Sequence, residues 1–189
     1  AIEPGWNLLL HDMGIPVVRV LRRAGMPEDL FTRAPCRVSA REYYAIWRSL
    51  DAEELEVPLG IHMAHTMTSE IFDPLLFAGL CSKNLKNATA RIAQYKRLVG
   101  PIKLETHSGA QGFELRFVWP EDSPPPASLG FAEIVFWVAF ARLATRAPII
   151  PVHVGFVELP ERMKSFVSYL ETSPEVSTHW SVRFATEDA

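Results

Sequence analysis

The sequence predicts an α+β fold: a helical N-terminal half followed by β-β-α-β-α-β, with four strands in one antiparallel sheet packed on a long central helix. Three observations lead there. Apolar residues recur at helical spacing between Val17 and Val99. After Gly100-Pro101 the pattern changes to a period of two. A stretch from Ser128 to Arg146 is then apolar around most of a helical circumference.

The helices follow in order. Residues 17–24 place Val17, Val20, Leu21 and Ala24 on one face, and Gly25 supplies a C-terminal stop. Pro27 suits the first turn of a short helix over 28–31, and Pro35 ends that unit. Ser39 serves as N-cap for 40–53 with Glu42 as its capping-box partner, and Tyr43, Tyr44, Ile46, Trp47 and Leu50 form the apolar stripe. Pro58 opens 59–67, whose buried face is expected to hold Leu59, Met63 and His62. Two helices are expected across 72–99, broken at 82–84 and capped by Asn84 or Asn87. In the second of them Ala88, Ile92, Tyr95 and Val99 are read as the apolar face, and Arg91, Lys96 and Arg97 as the wet one.

Residues 102–107 and 112–119 alternate around the turn-like 108–111 and read as a hairpin with Phe113, Leu115, Phe117 and Trp119 on one face. The three prolines within 121–126 demand a surface connection. Ser128 is expected to cap the long helix to Arg146, which carries Phe131, Ile134, Val135, Trp137, Val138, Phe140 and Leu143. A strand over 152–159, a helix over 161–170 and a strand over 180–185 complete the chain.

With 189 residues, 48% of them apolar and 22% charged, one domain spanning 1–189 is expected, without disorder. A formal charge of -3 provides no basic excess to hold a phosphate backbone, so DNA binding by this stretch itself is not expected. The longest uninterrupted apolar run, 134–141, is short for a bilayer, and the first residues lack a secretion-signal pattern. The expectation is a cytoplasmic protein with no membrane partner. Cys36 and Cys81 form no C-x-x-C pair and are read as buried thiols of a reducing compartment.

Four stretches carry a family resemblance: VLRRAGMPEDLF (20–31), RVSAREYYAIWRSL (37–50), PLGIHMA (58–64) and FDPLLFAGLCSKNLKNATARIAQYKRLVGPIKLE (72–105). Together with the hairpin, the long helix and the closing HWSVRFATEDA (179–189), they resemble the arabinose-binding-like N-terminal domain of AraC-type bacterial transcription regulators. That resemblance implies a domain that senses a small-molecule effector, forms a homodimer and uses no cofactor. It also implies a DNA-binding helix-turn-helix portion beyond residue 189, through which alone DNA would be contacted.

For such a sensor, a cavity between the long helix and the sheet is expected, walled by Tyr95, Phe117, Trp119, Trp137 and Phe140, with Glu133 and His153 as polar anchors. Arg142 also interrupts the apolar helix. A charge there either faces solvent or reads a ligand. The bland alternative is that the aromatics fill the core and the charges are solvated, leaving a domain that only dimerises.

Other chemistries have weaker signatures. His62 and His65 form H-x-x-H, half of a zinc site, but Met63 stands where a metalloprotease has its glutamate. There is no G-x-S-x-G, no glycine-rich phosphate loop, and no local signature pairing Cys81 with His62 or His153, so no enzyme is expected. A heme sensor shares the broad order of helices and strands, yet the tyrosine, serine and arginine motif that clamps heme propionates has no counterpart.

Overall fold

The computed structural model describes residues 5–33, 36–66, 77, 79–120 and 124–188. The helical half contains α1 (Gly5–Asp12), α2 (Val17–Arg23), a 3-10 turn (Leu30–Thr32), α3 (Ala40–Asp51), α4 (Leu59–Thr66) and α5 (Leu85–Val99). Then come β1 (Lys103–Gly109), β2 (Gly112–Val118), the long α6 (Ala127–Thr145), β3 (His153–Phe156), α7 (Met163–Leu170), β4 (Glu175–Val176), β5 (Trp180–Phe184) and a closing 3-10 turn (Thr186–Asp188). Pro35, residues 121–123 and most of the helix expected from Phe72 lie outside the described residues; Phe77, Gly79 and Leu80 within that stretch are helical.

Local chemistry sets most boundaries. Ser39 closes a capping box: Glu42 N donates to its Oγ at 3.2 Å, and Ser39 N donates to Glu42 Oε2 at 2.7 Å. Asn84 Oδ1 accepts from Asn87 N at 2.9 Å to start α5. Ser128, expected as a cap, lies inside α6 instead. Pro126 occupies the cap position with ψ 143°, and Ser128 Oγ donates to Asp51 Oδ2 at 2.8 Å. Helix α1 was not anticipated; it buries Leu10 and stacks Trp6 on Phe31, ring centres 6.0 Å apart.

The sheet has five strands in the order β1-β2-β5-β3-β4, not four, and it is mixed. β4 runs parallel to β3, and the other neighbours are antiparallel. Two residues are too few to show alternation, which is why β4 is invisible in the sequence. The hairpin turn narrows to Ala110-Gln111, with Gly109 paired to Gly112. Gly112 has φ +119°, and a Cβ there would meet Phe184 O at 2.2 Å, so only glycine suits the position.

One sheet face presents Phe113, Leu115 and Phe117 alongside Phe184, Val182 and Trp180, with Val154 and Phe156 on the far side. This face packs on α6 through Ile134, Val135, Trp137, Val138 and Phe140. A second core gathers α1, α2 and α3 around Tyr44, Trp47 and Leu50, and α6 supplies Leu129 and Ala132 to it. The long helix therefore serves both cores. By length and composition α6 could cross a membrane, but 56% of its apolar stretch is buried inside the protein, with Leu143 among its exposed side chains. Gly60 allows α4 to press against it: a Cβ at that position would lie 2.7 Å from Ala132 Cα.

Candidate functional site

Helix α5 buries Ala88 and Ile92 as expected, but its inward face is rotated past Tyr95 to Lys96. Leu85, Ala88, Thr89, Ile92 and Lys96 are buried, whereas Tyr95 is 49% exposed. The inward stripe 85, 88/89, 92, 96 has helical spacing, and it carries a lysine into the junction with α6. There Lys96 Nζ lies 2.9 Å from Glu133 Oε2 and 5.2 Å from the centre of the Phe136 ring. Both charged side chains are about nine-tenths buried. An ion pair in such a position roughly offsets its own desolvation, so it adds little stability and mainly forbids the loss of either partner.

Several buried polar atoms of the two cores are short of partners. Glu133 Oε2 is held by the Lys96 ammonium at 2.9 Å and takes no further hydrogen bond among the described residues. Trp137, one turn further along the same face of α6, is completely buried, and its indole N–H has no acceptor among them. The same holds for Trp119 Nε1, just beyond β2, whose ring packs against both cores and lies 6.2 Å from Phe117. Each buried polar atom left unpaired costs about 1–3 kcal/mol. Tyr43, from α3, completes the seam. Burial, and next the Glu133 charge, push its phenol far above the ordinary tyrosine value, so it stays a neutral donor.

Of the seven residues expected to form a site, Glu133, Trp137 and Trp119 carry these buried polar atoms. Phe117 and Phe140 are buried beside them, Phe140 at 5.5 Å from Trp137. Tyr95 does not join them, because the rotation of α5 that admits Lys96 turns Tyr95 out. His153 does not either. It pairs across the sheet with Arg183 on the face opposite α6, where its Nδ1 lies 3.9 Å from Glu175 Oε2. Lys96 and Tyr43 were overlooked as site residues; the inward stripe beginning at Leu85 was the available signal for the lysine.

Arg142 is engaged within the fold. Its guanidinium donates to Ile149 O and Tyr169 O, both at 2.9 Å. His62 is half-buried, and His65 is exposed and packs 5.6 Å from the Tyr169 ring. Among the described residues no group of three or more His, Cys, Asp or Glu is arranged to hold a metal. Neither cysteine is in a disulfide, and the expectation of burial fails: Cys36 is half-buried and Cys81 exposed.

Where the two cores meet, α5 and α6 bury one ammonium and one carboxylate against each other, and the indole N–H groups of Trp137 and Trp119 are buried in the adjoining packing. Compared with known proteins, residues 14–189 match the family described as the arabinose-binding domain of AraC transcription regulators, N-terminal. No curated protein matches the chain.

Proposed function

Because the chain belongs to the family of N-terminal arabinose-binding domains of AraC transcription regulators, we propose that residues 1–189 act as one regulatory domain in which a small organic effector occupies the seam around Lys96 and Glu133. The family is a regulatory ligand-binding domain of a transcription regulator and not an enzyme. In this reading the effector accepts from Trp119 Nε1 and Trp137 Nε1 and donates to Glu133 Oε2, while Phe117 and Phe140 supply apolar walls. The observation that carries it is the set of buried polar atoms that no described residue satisfies. Buried polar atoms are rarely left without a partner, and ligand sites favour a few polar anchors in an apolar wall.

The seam joins the helical core to the sheet core, so an effector there binds two conformations of that junction unequally and biases DNA binding by a C-terminal portion of the regulator. A homodimer of a cytoplasmic protein is the assembly expected of this family.

The test is a thermal-shift screen of the chain against sugars including arabinose, amino acids, fatty acids and aromatic acids, with absorbance recorded first. A ligand that binds only the folded state raises the midpoint by mass action. The expected result is a colourless protein with at least one hit whose shift is lost in Trp137→Phe, which removes the N–H and keeps the ring. A folded protein with no hit points to a domain that only dimerises, and visible absorbance points to heme.

A further inference from the structure

Away from the seam, a groove of 230 Å³ opens where the end of α3 and the start of α4 meet α6 and the entry to α7. Its floor is apolar: Leu50 and Leu59 from the helical core, Phe131 and Phe166 from the sheet core. Its walls are acidic. Asp51 accepts the Ser128 hydroxyl at 2.8 Å, and among the described residues no cation stands within ion-pair distance of it. Glu53, also on the wall, is already matched by Arg19 and Arg23. Arg162 is the groove's one arginine, and its Nη1 is spent on the carbonyls of Leu55 at 2.7 Å and Glu56 at 3.0 Å, where it straps the α3–α4 connection.

We infer that this groove is a second ligand site, for a small primary amine whose alkyl or aryl body lies on Phe131 and Phe166 and whose ammonium pairs with Asp51. The donors of such an ammonium suit a carboxylate and a hydroxyl oxygen side by side, as Asp51 and Ser128 stand here. A metal ion is the poorer occupant, because Glu53 is taken up by Arg19 and Arg23, and Asp51, Glu161 and Ser128 together fall short of the six to eight oxygens calcium takes. The volume lies below the usual range for drug-sized ligands, which limits the body to about one ring or a short chain. Asp51 is exposed on the groove wall, and desolvation at its carboxyl raises the pKa from the ordinary aspartate value, opposed by the Ser128 hydrogen bond and, less, by Arg48.

The site is tested by calorimetric titration of the chain with 2-phenylethylamine and hexylamine, alongside 2-phenylethanol, hexanol and hexanoate. Saturable amine binding is expected, with the alcohols about tenfold weaker and hexanoate weaker still. Asp51→Asn, which keeps an acceptor for Ser128, is expected to weaken the amines about tenfold and leave the alcohols unchanged. Ser128→Ala weakens the amines less. Equal binding of amine and alcohol, full affinity in Asp51→Asn, or no saturable binding overturns the inference. Because the Lys96–Glu133 seam lies elsewhere, none of these outcomes bears on the effector reading.

Discussion

Arg142 and Tyr169 clasp the end of α6 to the end of α7: Arg142 Nη1 donates to Tyr169 O at 2.9 Å, and the guanidinium carbon lies 5.2 Å from the centre of the Tyr169 ring. The same side chain holds Ile149 O through Nε, so one arginine fastens the exit of the long helix to two later segments. A planar fork with several donors can do this, and a point charge cannot. Arg142→Met is therefore expected to lower unfolding free energy by about 2 kcal/mol, since two carbonyls lose their donor. Arg142→Lys should recover little of that loss in urea denaturation.

The Lys96–Glu133 pair is predicted to be costly to halve and cheap to remove entirely. Lys96→Met alone leaves the Glu133 carboxyl buried without its partner and is expected to cost about 3 kcal/mol. Adding Glu133→Leu removes the stranded carboxyl, so the double variant should be more stable than the sum of the single losses implies. A double-mutant cycle by chemical denaturation reads this directly; additive losses would contradict it.

At the α4–α6 contact, Gly60→Ala brings a methyl to 2.7 Å from Ala132 Cα, inside any tolerable contact with backbone. A loss of about 1–3 kcal/mol is expected, typical of overpacking. Ala132→Gly in the same chain vacates part of the space and should recover some of the loss. The readout is the thermal midpoint of the single and double variants.

Stability should fall in acid through Glu53 and Glu114. Burial raises each carboxyl, but the hydrogen bonds and charges of Arg19 and Arg23 on Glu53, and of Arg183 and Arg116 on Glu114, prevail and hold both below the ordinary glutamate value. A depressed folded pKa gives stability that is fully present above the unfolded value of about 4.3 and is lost as pH falls through the folded one. The melting midpoint is therefore expected to drop below about pH 4. Glu53→Gln should melt earlier at neutral pH and show a shallower decline in acid, as followed by circular dichroism.

How much of this was legible beforehand varies with the range of the interaction. The Ser39 box, the Asn84 cap, the hairpin and the inward face of β2 were readable because each is decided within a few residues. In the candidate site, Trp137, Trp119 and Glu133 were named from composition on a helix and a strand end, but their shared lack of partners was not readable. Ser128 shows the limit at short range. Its hydroxyl has a partner 77 residues away in Asp51, and that contact competes with local capping.

By itself the sequence determined the class of the fold, the order of most elements and the family, since periodicity and caps are local and survive any arrangement of the parts. The tertiary structure alone decided the placement of β4 beside β3, the service of α6 to two cores, and the choice between Tyr95 and Lys96. Those two neighbours differ by about 100° around a helix, so only one can face inward. Tyr95 looks the better core residue in isolation, but Glu133, on another helix and distant in sequence, supplies the charge that makes a buried lysine tolerable.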